Sequence, residues 1–322
     1  MRGLYIERGN LVVRDDLPEP VARPGWTRVQ VHRAGICATD QALARGYMDF
    51  EGVPGHEFVG VAIDGPMQGT RVVGEINAGC GECHACLEGD SRHCEARTVL
   101  GIAGLQGAFA ERLTLPTHNL LAIPAGVDDD AATFTEPMAA ALHIADDVDL
   151  ASHRRVLVAG DGKLGLLCAA ALTLRGSDVT VVGRHPERAA LLGLPLRFVT
   201  GWLEHDPEDF DPVAPFDLAV EATGNADVLP RLLPLVRARG TVVLKTTTER
   251  PTAIELSALV VGEQRIVGSR CGRFAPALEL LVEHDFDVRP LISARYGLDD
   301  GIAAFEHAGR AGVLKVLLDI TP

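Results

Sequence analysis

RRVLVAGDGKLGLLCAAALTLRG, residues 154–176, decides the fold of the second half of this chain. The apolar run Val156 to Ala159 has strand character. It leads into Gly160-Asp161-Gly162-Lys163-Leu164-Gly165, and an apolar helical stretch follows at once. A G-x-G-x-x-G run alone is a weak signal. Between a strand and a helix it is strong, because each glycine then has a physical reason to be there. Gly160 permits a tight turn, Gly162 lets the backbone approach a pyrophosphate closely, and Gly165 lets the helix pack closely on the strand. Lys163 and Leu164 open the helix whose free amides would face the phosphates. The competing reading is an ordinary turn of an α/β protein. A Walker A loop is excluded, since Leu164 stands where Ser or Thr is needed.

The same texture extends outward. VTVVGR (179–184), FDLAVEATG (216–224), GTVVLKT (240–246) and RIVGSR (265–270) are further apolar strands spaced by helical stretches, the pattern of a parallel sheet wound with helices. An NAD site wants an acid at the end of its second strand to take the ribose hydroxyls. Here Gly183 occupies that position and Arg184 follows, a pairing that accepts a 2′-phosphate, with His185 and Arg188 adding polar or positive groups. The expected cofactor is therefore NADP(H). Thr223, in EATG, ends a strand on the side of the sheet where ligands collect. Lys245, with the threonines that follow it, has no sequence-level explanation beyond a polar contribution to substrate or cofactor.

Upstream the chain reads as β. WTRVQVHRAGI (26–36), EFVGVAI (57–63), TRVVGEI (70–76) and FAERLTLP (109–116) alternate or run apolar in short pieces. TEPMAAALHI (135–144) is helical, with Thr135 as its expected cap and Pro137 in the first turn. Helices near APALELLVEH (275–284) and DDGIAAFEHA (299–308) and a closing strand, VLKVLLDI (313–320), end the chain. Cys80, Cys83, Cys86 and Cys94 form C-x2-C-x2-C-x7-C, a spacing that aims four thiolates at one tetrahedral centre. Neighbours three apart would strain a disulfide, and the last gap is too long, and lacks the Pro, for a four-iron cluster. Four cysteines leave no open coordination position, so this metal is expected to be structural and the chemistry to sit elsewhere. His84 and His93 are read as surface residues, and Cys168 as core.

The whole chain has 322 residues, seven cysteines and a formal net charge of −14. That length suits two domains. The charge argues against nucleic-acid and anionic-membrane partners, and no apolar run reaches membrane-spanning length. The N-terminal MRGLYIERGN lacks the hydrophobic stretch of a secretory signal, and a reducing, cytoplasmic location is expected.

Cys37 in GICATD (35–40) and His56 in PGHEFVG (54–60) each lie among small or turn-forming residues. A thiolate and an imidazole, joined by a carboxylate and a water, make an open zinc site. Taken with the cysteine cluster, GAFAERLTLP, TEPMAAALHI, the glycine turn and EATG, in this order, the chain resembles the zinc-dependent medium-chain dehydrogenase/reductases, the alcohol dehydrogenase superfamily. In motif it is closest to the polyol and threonine dehydrogenase branch.

The resemblance implies an α/β protein: a GroES-like, β-rich catalytic domain over 1–139 and 271–322, carrying a structural zinc lobe, and a Rossmann doubly wound domain over 140–270. It implies one catalytic and one structural zinc. Cys37 and His56 would be catalytic ligands, with Glu57 or Glu136 as the third. Asp40 would orient His56, and Thr39 would hydrogen-bond the substrate oxygen and pass its proton outward. Lys315 would lie near the pyrophosphate or, equally, at a strand-edge surface. The implied reaction moves a hydride between NADP(H) and a small alcohol, polyol or matching carbonyl, in a homodimer or homotetramer. Two departures stand out. Ala42 replaces a relay histidine, so the proton must leave by ribose, water or a group such as Tyr47, and Ala38 replaces a usual basic residue. The other readings are a zinc-independent NADPH reductase of activated alkenes or quinones, and a non-catalytic cofactor sensor.

Overall fold

The computed structural model describes residues 1–21, 23–201, 215–248, 250–283 and 286–321. The chain divides into two compact units, Met1–Glu136 with Phe274–Pro322, and Pro137–Arg273. The expected crossings after 139 and 270 compare with crossings after 136 and 273, the first of them inside the helix Thr135–Leu142. Thr135 is not the cap expected of it. It is already helical, and its hydroxyl donates back to the Ala132 carbonyl.

The first unit is built on a seven-stranded sheet. Trp26–Gly35 is its centre and alternates between buried and half-buried residues, as a strand with one face in a core does. It pairs antiparallel with Glu57–Ala62, Arg112–Pro116 and Lys315–Asp319. The closing strand thus returns from the far end of the sequence, with Leu317 opposite Gly35 on one side and Glu57 opposite Gly35 on the other. Leu4, Val29, Val31, Phe109, Leu113 and Phe134 are buried in this unit's core. A separate three-stranded sheet of Asn77–Ala78, Thr98–Leu100 and Gly104–Leu105 brackets the cysteine segment.

The second unit is a six-stranded parallel sheet in the spatial order Arg197–Thr200, Asp178–Gly183, Arg155–Ala159, Phe216–Glu221, Val236–Leu244, Arg265–Gly268. Its three central strands, Asp178–Gly183, Arg155–Ala159 and Phe216–Glu221, are mostly apolar and buried, as the middle of a sheet covered on both faces requires. The chain winds outward one way from Arg155–Ala159, then returns and winds the other way from Phe216–Glu221. The point of reversal lies between those two strands, and ligands of such sheets gather at the carboxyl ends there. The helix Lys163–Leu174 buries Gly165 to Leu172 continuously, so its middle is apolar all round while both its ends are half-buried. The helix expected near 275–284 spans Phe274–Glu283, and His284 lies outside the described residues. No helix among the described residues is long and apolar enough to cross a membrane.

Candidate functional site

Cys37 ends the central strand's exit, and Ala38–Leu43 begins a helix directly after it. Asp40, fully buried in the first turn, ties this corner together. Its Oδ2 accepts from the Cys37 amide at 2.8 Å, and its Oδ1 accepts from the Gly55 amide at 3.1 Å. The same Oδ1 lies 3.3 Å from Nδ1 of the buried His56. One carboxylate thus ties the loop of Cys37 to the loop of His56 and sets a negative charge beside the imidazole. Burial opposes charge on His56, but Asp40 and Cys37 overcome it and hold its pKa well above the ordinary value. Donor atoms of Cys37, His56 and Glu57 lie within 4.8 Å of one another. Glu136, the other expected third ligand, lies outside that group, half-buried at the start of its helix. Thr39 is half-buried in the same first turn as Asp40.

Glu57 has a partner that sequence reading missed. Lys315, at the start of the closing strand, is fully buried and forms an ion pair with Glu57 Oε2. Its ammonium also lies 5.4 Å from the centre of the Phe134 ring. Burial pushes the Lys315 pKa down to about 8. Lys315 is therefore not a strand-edge surface residue. Its charge is spent on a carboxylate two strands away. Gly35 makes the pairing possible, for a Cβ there would fall 2.5 Å from Glu57 Oε2 and 3.1 Å from Lys315 Nζ.

The thiols of Cys80, Cys83, Cys86 and Cys94 also lie within 4.8 Å of one another. A tetrahedral zinc with Zn–S near 2.3 Å would set its sulfurs about 3.8 Å apart, so the cluster matches in size and donor type. Two glycines serve it. Gly81 takes φ +81° in the turn after Cys80, and a Cβ on Gly79 would come 2.6 Å from Cys86 Sγ. Backbone amides of Glu82 and Cys83 draw the Cys80 thiol down to about 7. His84 and His93 are largely exposed, each beside a carboxylate of its own turn.

In the second unit the glycine turn has the geometry its sequence implies. Gly160 adopts φ +116°, and a Cβ on it would meet the Ala222 carbonyl at 2.6 Å. A Cβ on Gly165 would meet the Gly160 carbonyl at 2.0 Å. At Gly162, where Lys163 and Leu164 begin the helix, an added Cβ would meet nothing within 4 Å among the described residues beyond its chain neighbours. The protein itself therefore makes no demand for glycine there, whereas a close-approaching pyrophosphate would. Beside the turn, Asp161 accepts from the amides of Arg184 and His185 at 2.9 and 2.6 Å and lies against the His185 ring, while Arg188 donates to the Asp161 carbonyl. Burial opposes these contacts, yet they hold the Asp161 carboxyl below the ordinary range. Arg184 is exposed. Thr223 donates its amide and its hydroxyl to Glu221 Oε1, and Thr246 donates to Glu221 Oε2.

Lys245 now has a physical account. Its ammonium donates to the Ala140 carbonyl, Ser269 Oγ and the Arg270 carbonyl at 2.7, 3.1 and 3.0 Å, so all three donors are committed to the protein. Cys168 is buried, and burial pushes its thiol up to about 11.

Comparison with known proteins agrees with this architecture. Residues 23–125 match the alcohol dehydrogenase GroES-like domain, and residues 131–320 match the glucose dehydrogenase C-terminus. An L-threonine 3-dehydrogenase of Streptomyces avermitilis is 30% identical over 95% of this chain and 95% of its own. A putative zinc-binding dehydrogenase from Sinorhizobium meliloti, solved with NADP, superposes with TM-score 0.88 at 27% identity, covering 99% of this chain and 98% of that one. A structure from Escherichia coli described as a short chain alcohol dehydrogenase, solved with NADH, superposes with TM-score 0.89 at 26% identity, covering 99% of both chains. The two family models together span nearly the whole chain and the order of its motifs. The protein is an oxidoreductase-type member of the zinc-dependent medium-chain dehydrogenase/reductases, the alcohol dehydrogenase superfamily.

Proposed function

We propose that this chain is a zinc- and NADP(H)-dependent oxidoreductase, moving a hydride between the nicotinamide and a small alcohol or polyol, or the matching carbonyl. The observation that carries this reading is the convergence of Cys37, His56 and Glu57 donor atoms within 4.8 Å, with Asp40 behind the imidazole. A thiolate, an imidazole and a carboxylate are the donor set of an open zinc site. Zinc bound there would polarise the substrate oxygen and ease its loss or gain of a proton. Asp40 holds His56 in one tautomer and one orientation. Of the two glutamates, Glu57 is assigned as the third ligand because it belongs to the cluster. Thr39 hydrogen-bonds the substrate hydroxyl and passes its proton on. Ala42 offers no acceptor, so the proton continues through water, the cofactor ribose or Tyr47, which is partly exposed. The four-cysteine cluster holds a second, closed zinc.

The amides at Gly162, Lys163 and Leu164 are assigned to the pyrophosphate, Arg184 with His185 and Arg188 to the 2′-phosphate, and Thr223 to the cofactor side of the sheet. The relatives named L-threonine 3-dehydrogenase favour a small hydroxyl-bearing substrate. A homodimer or homotetramer in a reducing, cytoplasmic setting completes the reading, and light scattering on purified protein tests the assembly.

Metal analysis after purification without chelator, together with NADPH and NADH oxidation against a panel of ketones and aldehydes, tests the rest. Two zinc ions per chain and faster turnover with NADPH are expected. Turnover that survives the C37A change would favour the zinc-independent reductase. Tight dinucleotide binding with no turnover of any carbonyl would favour the sensor.

A further inference from the structure

We propose that Asp161, the variable residue inside the glycine turn, is a positioning residue for cofactor choice, and that it and an acid at position 183 exclude one another. This rests on the NADP(H) reading above. An acid at the end of the second strand normally faces the ribose hydroxyls, and here that position is Gly183. The carboxylate found beside it comes instead from Asp161. A Cβ on Gly183 would fall 2.6 Å from both Cβ and Cγ of Asp161 and 2.8 Å from its Oδ2. Any side chain at 183 therefore collides with Asp161, and an aspartate would also bring like charges together in a place with little solvent.

The Asp161 carboxylate is turned inward. Its Oδ2 takes the Arg184 amide at 2.9 Å, the His185 amide at 2.6 Å and the His185 Nδ1 at 2.9 Å. Its Oδ1 lies 3.8 Å from Arg188 Nη1, and only 9% of the residue remains exposed. The negative charge is thus neutralised within the loop rather than presented to a ligand. Its effect is to cinch the backbone of residues 183–185 onto the glycine turn. Arg184 then stands exposed at the strand end, with His185 and Arg188 beside it. The chemistry this corner recognises is a phosphate monoester on the adenosine ribose. The acid that would repel it has been moved one strand over and covered.

Binding of NADPH, NADH, 2′,5′-ADP and 5′-AMP to the purified full chain, by fluorescence and calorimetry, tests the proposal independently of turnover. The variants are D161N, D161A, G183D and D161A/G183D, with thermal unfolding as a check on fold. The wild type is expected to prefer NADPH and 2′,5′-ADP. D161N, which keeps an amide-accepting oxygen, should retain that preference. D161A, which removes the acceptor for the Arg184 and His185 amides, should weaken NADPH and 2′,5′-ADP by about tenfold, the size of a lost backbone hydrogen bond, with a smaller change for NADH and 5′-AMP. G183D should bind both dinucleotides poorly, and adding D161A to it should restore NADH binding and reverse the preference. An unchanged NADPH-to-NADH ratio in D161A, or NADH binding by G183D as tight as by the double variant, overturns the proposal. A wild type that prefers NADH overturns the NADP(H) reading instead. The mutual exclusion of the two positions is still decided by comparing G183D with the double variant.

Discussion

Lys315 and Glu57 form an ion pair with no solvent exposure on either side chain, reaching across Gly35 on the strand between them. Two opposite charges buried this deeply are costly to separate, since each then loses a compensating partner in a place with no solvent. K315M should remove the cation beside this buried carboxylate and cost about 3–5 kcal/mol in folding stability. Replacing both partners, as in E57L/K315M, should recover much of that loss while removing a candidate metal ligand. G35A should destabilise as well, since its methyl group has no room beside the carboxylate. Urea midpoints of the four proteins check this, and a K315M protein as stable as wild type would refute it.

Asp40 touches the Cys37 amide, the Gly55 amide and the His56 ring without belonging to the donor cluster. D40N is expected to lower zinc affinity at the Cys37 site, or turnover, by about 10- to 100-fold. C37A should abolish turnover and lose one zinc while the thermal midpoint changes little. C83A should lose the other zinc and lower the midpoint. Metal content, midpoint and rate measured on the three variants separate the two sites.

Removing metal should expose the cysteine cluster to chemistry. Cys80 is exposed, with its thiol drawn down to about 7 by neighbouring amides, whereas Cys168 is buried and pushed up to about 11. After chelation, brief alkylation near pH 7 should label Cys80 well before Cys168, and added zinc should protect Cys80. Peptide mass spectrometry over a time course reads the order. Labelling of Cys168 first would contradict the packing described.

Asp217 accepts from the Arg155 amide at 2.8 Å and from Arg237 Nε at 2.6 Å, joining the starts of neighbouring strands. Burial opposes the charge, but these two donors prevail and hold its carboxyl below the ordinary range. A depressed folded-state pKa contributes stability above the unfolded value, near 3.9, that is lost as pH falls through the folded value. D217N should therefore be less stable than wild type at pH 7, with the gap closing as pH drops below about 4. Denaturation series at pH 7 and pH 3 test the sign.

The features legible in the sequence are those whose geometry is set by near neighbours along the chain. The glycine turn announces itself because Gly160 and Gly165 answer to backbone atoms within a few residues or on the adjoining strand end. The four cysteines converge for a similar reason, their turns being short enough that spacing alone aims the sulfurs. Cys37 and His56 were legible as a pair only because each lies in a distinctive short motif. Asp161 carried a signal that was open to reading, an acid inside the glycine turn facing a strand that ends in Gly-Arg, but its meaning depends on two strand ends lying side by side. What the tertiary structure alone decided is where the remaining charges go. Lys315 meets Glu57 over a separation of 258 residues because antiparallel register brings the closing strand beside the central one. Glu57 joins Cys37 and His56 while Glu136 does not, although the two glutamates looked equivalent in sequence. Spacing along a chain prescribes local turns, but the partner of a buried charge is chosen by which strands a sheet places together.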